Sequence, residues 1–364
     1  MSIGLLSSFL VVFHSFIYWL SLRWNGKFPI TLTILSVAVA FSFFMYVVGF
    51  RELTAGNDTI RYIITFINLD GVFTARDTGE DIFGNTEPLF WPIMAGVKVF
   101  ADEPEVFIII TSFLSYILSL GAIYLICERL TLNQHHSQIA VFSMAILFSL
   151  YEIVYFGNHI RASLAVPLSI IAICLYEKND HKYWLLLCLA TSIHYSALVI
   201  LLYPLLEICL KQKHGAKYLA GGVGFTFLFI NQLVDAAIIS TDEYVEGKAN
   251  IYLNGGLETA IKSIYLMSST WVILLIAISS ILNAGIKKGK ITLFFLILVL
   301  VTSYFPTISI RFFPFLLLSS VPGFVLFLIN NFGVNKGVAL VSLNVSLVTY
   351  IMFESETVIH TLGL

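Results

Sequence analysis

Charge is what this sequence has least of. Asp, Glu, Lys and Arg together make up 12% of 364 residues, against about 25% in an ordinary soluble domain. Hydrophobic residues fill 58% and the mean hydropathy is +0.91, which excludes a chain that folds around a core in water. A net charge of −2 and a pI near 6.4 leave no basic surface of the kind nucleic acid requires, so no nucleic-acid partner is expected. Cysteine is scarce as well. Cys127, Cys174, Cys188 and Cys209 lie in or at the ends of predicted helices without CxxC spacing, and read as packing residues. There is no phosphate-cradling glycine-rich loop, no dinucleotide fingerprint, no HExxH, and no GxSxG between a strand and a helix. Nucleotide-sugar, zinc-peptidase and serine-hydrolase chemistries therefore lack their motifs. No acidic cluster resembles a metal site, and Asp242, Glu243 and Glu246 read as a solvated loop, so neither metal nor cofactor is expected. No internal repeat supports a transporter built from two related halves.

Long apolar runs are what the chain has instead. Spans are expected at 2–22, 29–49, 104–127, 138–156, 162–177, 218–239, 263–284, 291–309, 312–330 and 338–353, each bounded by charges or by Gly/Asn turns. No basic region precedes Arg23, so residues 2–22 read as a retained helix and not a signal peptide. The fold class that follows is all-α, a polytopic membrane protein with about ten transmembrane helices, residues 1–364 forming one membrane domain. Residues 183–210 resist assignment as a simple span. A single crossing would put Lys178 and Lys182 on one face and Lys211, Lys213 and Lys217 on the other, against the positive-inside tendency. A re-entrant hairpin with its tip near His194, Tyr195 and Ser196 returns both basic turns to the cytoplasmic side, provided that surrounding helices shield the tip from lipid. The loops at 23–28, 128–137, 178–182, 211–217, 285–290 and 331–337 then lie inside and carry twelve of the twenty lysines and arginines. Two long loops, 50–103 and 240–262, lie outside.

That orientation gathers Arg51, Asp58, Glu87, Arg161, His194 and Arg311 at the outer ends of helices, where a charge beside lipid needs a partner or a polar cavity. Arg51 follows the second span, and its ordinary alternative is an interfacial residue that snorkels. Asp58, after the Gly56-Asn57 turn, is placed to cap an amphipathic helix that carries Tyr62. Glu87 opens an apolar stretch of about ten residues, too short to span and suited to a re-entrant or interfacial helix, and its plain alternative is a helix-start anion. Arg161 opens a helix after the short turn Gly157-Asn158-His159, and Arg311 is flanked on both sides by apolar and aromatic residues. Arginines converging on a membrane face suit a lipid diphosphate, because each guanidinium bridges two phosphate oxygens and keeps its charge.

Three blocks carry a family resemblance. FRELTAGNDTIRY (50–62) resembles the Arg, turn, Tyr block that opens the long outer loop of EpsG-like proteins, the Wzy-type polymerases of O-antigen, capsule and exopolysaccharide. EPLFWPIMAGVKVF (87–100) is similar to their Glu-led block. Residues 159–206 resemble their central signature, an Arg-led helix followed by a His-x-Ser-Ala turn and a later Pro, with Ile193 where an aromatic residue is commoner. The likeness resumes at ISIRFFPF (308–315). It implies a GT-C-like membrane glycosyltransferase of the bacterial inner membrane, with a site facing the periplasm or cell exterior and undecaprenyl-diphosphate-linked oligosaccharides as partners. The expected activity is an inverting, metal-independent repeat-unit polymerase. In it Arg161 and Arg311 hold the donor diphosphate, Arg51 assists or binds the acceptor, Tyr62 contacts substrate, and Asp58 orients an arginine. His194 or Glu87 takes the acceptor proton. A chain-length regulator is a candidate partner. A lipid-linked-glycan ligase, a flippase and a polysaccharide acyltransferase are the alternatives.

Overall fold

The computed structural model describes residues 3–23, 28–51, 57–69, 88–130, 136–149, 159–212, 273–302 and 311–353, with a few isolated positions between them. Among the described residues every regular element is helical. The chain opens with α1 (Ile3–Arg23) and α2 (Phe28–Phe44), which continues as a π-helical turn through Met45–Gly49. Then come α3 (Asn57–Ile67), α4 (Phe90–Phe100), α5 (Pro104–Leu130), α6 (His136–Ser149) and α7 (Ile160–Glu177). After α8 (Lys182–Ile193), a 3-10 segment Tyr195–Leu202 leads into α9 (Tyr203–Lys211). The last helices are α10 (273–288), α11 (Lys290–Thr302) and α12 (Phe313–Phe353).

Among the described residues four stretches are long and apolar enough to cross a membrane: Thr31–Gly49, Pro104–Leu130, Ile160–Glu177 and Phe313–Leu340. Ser8–Ser21, Phe90–Phe100, Lys182–Ile193 and Lys290–Thr302 are apolar but shorter. The predicted spans 2–22, 29–49, 104–127 and 162–177 coincide with α1, α2 and its π turn, α5 and α7. Those at 312–330 and 338–353 are the two arms of α12, broken at Gly333, whose φ of 76° a glycine adopts without Cβ conflict. The predicted loop 240–262, nearly all of span 218–239 and the start of span 263–284 lie outside the described residues.

Described residues at or beside the loops expected on one side meet at one end of the bundle. Arg23 Nη2 donates to Asn335 at 3.1 Å, Asn330 to Asn283 at 2.8 Å, and Arg129 to the Lys287 carbonyl at 3.1 Å. Lys178 pairs with Glu128 at 2.7 Å. Glu177 pairs with Arg129 and with Lys290 at 3.2 Å, while Lys290 also reaches Glu207 at 2.8 Å. The Lys290 hydrogen bond, helped by the charges of Lys290 and Lys211, holds the Glu207 carboxyl below its usual range against its burial.

Residues 182–211 leave this end and come back to it. The Tyr176 ring lies 5.1 Å from Tyr183, at the start of α8, and 6.1 Å from Tyr203, at the start of α9. The Tyr203 hydroxyl donates to Glu177, so the chain has returned to the level from which it departed. Twelve helical residues carry it up and eight 3-10 residues carry it down, similar heights at about 1.5 and 2.0 Å per residue. The turn falls at His194, whose extended backbone (φ −153°, ψ 119°) interrupts the helix. One face of each leg packs inward, burying Tyr183, Leu187, Ala190 and Ile193 on the first and Ala197 and Ile200 on the second, while Trp184, Leu185, Leu198, Leu201 and Leu202 are exposed.

Candidate functional site

At the far end of the bundle, α3 and α4 lie over the first turns of α5 and α7. A local apolar cluster including Tyr62, Phe66, Phe90, Met94, Phe107, Leu164 and Ile193 joins them. Thr59, Tyr62, Ile63 and Phe66 are buried on α3 at i, i+3, i+4 and i+7, the spacing of one helix face. Lys98 of α4 donates to the Phe66 and Ile67 carbonyls at 2.8 and 2.7 Å, capping the C-terminus of α3 with a cation. The Leu89 amide, just ahead of α4, donates to the Ser192 carbonyl at 3.0 Å, which ties this roof to the hairpin tip.

Two arginines meet two tyrosines here. Arg161 Nε donates to the Tyr62 hydroxyl at 2.9 Å, with the guanidinium 5.7 Å from the Tyr62 ring and 6.0 Å from the Phe90 ring. Arg311 Nη1 donates to the Tyr195 hydroxyl at 2.7 Å, with its guanidinium 6.0 Å from that ring. Each phenol accepts, since a guanidinium has donors only. Between the pairs runs a short covalent and hydrogen-bonded path, from Phe90 through Leu89 to Ser192 and on to the tip. His194 is buried there, its ring edge-on to Tyr195 at 5.1 Å, and its carbonyl accepts from the Ala197 amide at 3.1 Å. Beneath Arg161, Ser163 bonds Ser115 at 2.7 Å and fixes α7 to α5 within apolar surroundings.

Arg51 occupies a different kind of place. It is 6% exposed, and donates to the Val48 carbonyl and to Thr59 Oγ1 at 3.2 Å. Burial lowers its pKa to about 10. Thr59 lies one turn before Tyr62, so Arg51 braces the helix face that presents the Arg161 partner. Asp58 falls in the first turn of α3, with its side chain outside the described residues, and Glu87 lies outside them altogether. Of the sequence-predicted set, Tyr62, Arg161, His194 and Arg311 are thus brought to one end, with Arg51 just below.

Two participants escaped the sequence reading. Tyr195 was seen only as part of the tip, although a tyrosine next to a histidine at a polar turn in an apolar segment is itself a signal. Thr59 gave none, because an arginine's partner eight positions away follows from the turn geometry alone. Among the described residues no three His, Cys, Asp or Glu side chains gather as a metal-holding group.

One end of this helical membrane protein thus gathers two arginines, two tyrosines and a histidine around the tip of a hairpin. The family follows directly. The chain belongs to the EpsG family, whose model matches residues 34–360, and so to the Wzy-like polysaccharide polymerases. No curated protein and no solved structure matches it significantly.

Proposed function

We propose that this polymerase transfers a glycan from an undecaprenyl-diphosphate-linked donor to a hydroxyl of a second undecaprenyl-diphosphate-linked repeat unit, with inversion and without a metal. The observation that carries this reading is the pair of arginine–tyrosine contacts, Arg161–Tyr62 and Arg311–Tyr195, at the same end as His194. Each phenol holds a guanidinium in place before substrate arrives, so little ordering remains when charge grows on the leaving group. The acceptor hydroxyl loses its proton to His194 or Glu87 and bonds to the anomeric carbon. The bond from that carbon to the diphosphate oxygen breaks, and Arg161 and Arg311 stabilise the departing diphosphate. Arg51 acts as a positioning residue through Thr59 and α3. The site faces the periplasm or cell exterior, and the fold is of the GT-C kind.

The test has two arms. Deleting the gene in its host should leave surface glycan of a single repeat, whereas loss of all surface glycan would indicate a flippase or ligase. Complementation with R161K or R311K keeps the charge but loses the two-pronged geometry, and each should lower polymerisation at least roughly a hundredfold at normal expression. Full ladders from both would remove these residues from the site. Purified protein should extend lipid-linked units in EDTA as fast as with magnesium. Dependence on a divalent ion would overturn the metal-free step and direct attention to Asp58 and Glu87 as ligands.

A further inference from the structure

At the end of the bundle away from the candidate site, α1 closes on Arg23 beside the Gly333 break in α12. Between them lies a cavity of about 480 Å³ lined by Arg23, Phe332, Gly333, Val334, Asn335 and Lys336. No carboxylate is among these residues. The one side-chain acceptor, Asn335 Oδ1, already accepts from Trp19 Nε1 at 2.8 Å and from Arg23 Nη2 at 3.1 Å, which leaves the amide NH2 of Asn335 to donate. Guanidinium and ammonium have donors only. The Trp19 ring supports the Arg23 guanidinium at 4.6 Å. A wall of donors with two fixed positive charges takes an anion that offers several acceptor oxygens.

A second feature says what that anion is attached to. Phe9, Val12 and Phe16 are exposed on α1 at helical spacing of one face, and the same spacing continues through Trp19 to Arg23. Phe16 stacks on Trp19 at 6.1 Å, and Phe332 adds exposed apolar surface at the cavity rim. An apolar stripe therefore runs up to a donor-lined cavity, with an aromatic residue at the junction, the place such rings take at a membrane interface. A free phosphate would use the cavity alone. We infer that this is a binding site for an anionic phospholipid, its phosphodiester held by Arg23, Lys336 and Asn335 and one acyl chain lying along Phe9, Val12 and Phe16.

The experiment uses the full-length protein in neutral detergent, offered phosphatidylglycerol, phosphatidylcholine or inorganic phosphate, with native mass spectrometry counting bound lipid. Wild type should retain one phosphatidylglycerol, and affinity should fall about fivefold for each cation removed in R23Q and K336Q, from about 1 kcal/mol per charge. K178Q, which removes a cation at the same end but outside the cavity, should bind as wild type does. Lys336 is exposed, so K336Q decides the matter even if R23Q, which also loses Asn335, folds poorly. Equal retention of phosphatidylcholine, an unchanged K336Q or an equal loss in K178Q would overturn the site. Displacement of the lipid by millimolar inorganic phosphate would overturn the assignment of a lipid.

Discussion

Tyr62 and Tyr195 serve their arginines in the same way from opposite surroundings. Tyr62 is 1% exposed within an apolar cluster, whereas Tyr195 is 41% exposed at the hairpin tip. A buried phenol fixes a guanidinium rigidly and an exposed one leaves room beside it, so the two arginines are held under different constraint. An imidazole has an ordinary pKa of about 6.5 and a glutamate of about 4.3, so the imidazole is ordinarily the stronger base. The tip geometry favours His194, since it sits within the break that also carries the Arg311 partner. H194A should abolish chain growth while lipid-linked substrate still binds, and E87Q should keep measurable activity. The reverse pattern, a full ladder with H194A and none with E87Q, would make the histidine structural. Arginines at membrane depth stand out in a sequence because lipid leaves them few reasons to be there. Their partners do not, because a tyrosine or threonine is unremarkable until the fold sets it beside a guanidinium.

Among elements, the hairpin was the least ordinary expectation and rested on charge alone. Lysines on both sides of residues 183–210 predict a return to the same face, and in the fold Tyr183 and Tyr203, at the two ends of the segment, both lie beside Tyr176. What anchors it was not visible beforehand. Glu177 and Glu207 form a clasp with Arg129 and Lys290 between α5, α7, α9 and α11. The Glu177 side chain is 12% exposed, so losing its charge strands Arg129 in a poorly solvated setting and leaves Lys290 with Glu207. E177Q should destabilise the protein by roughly 2–4 kcal/mol, read as a lower unfolding temperature in detergent. An unchanged midpoint would show the clasp to be dispensable. The sign for pH follows from Glu207, whose folded pKa is depressed. Its contribution is complete above the ordinary carboxylate value of about 4.3 and is lost as pH falls through the lower folded value. The α12 break was legible for another reason, since Gly333 and Lys336 interrupt an otherwise apolar run. The 3-10 character of the descending leg was not, because its residues suit an α-helix equally well.

For the molecule as a whole, sidedness is the property that a list of helices does not contain. Described residues at or beside the loops predicted on one face meet at one end, and the arginine–tyrosine pairs lie at the other. In a cysteine-free background, single cysteines at Lys182 and Lys211, whose side chains are 76% and 71% exposed, should both resist an impermeant thiol reagent in whole cells. Both should label once the membrane is opened, and labelling of only one in intact cells would mean that the segment crosses.

A segment that goes in and returns also changes no parity. Every true crossing reverses the side on which the next residue emerges, whereas a re-entrant stretch from Lys178 to Gln212 would leave that side as it found it. The hairpin can therefore lengthen, shorten or be exchanged between related chains without inverting any helix that follows. A change of length in the segment that carries His194 and Tyr195 therefore leaves the direction of α10, α11 and α12 unaltered.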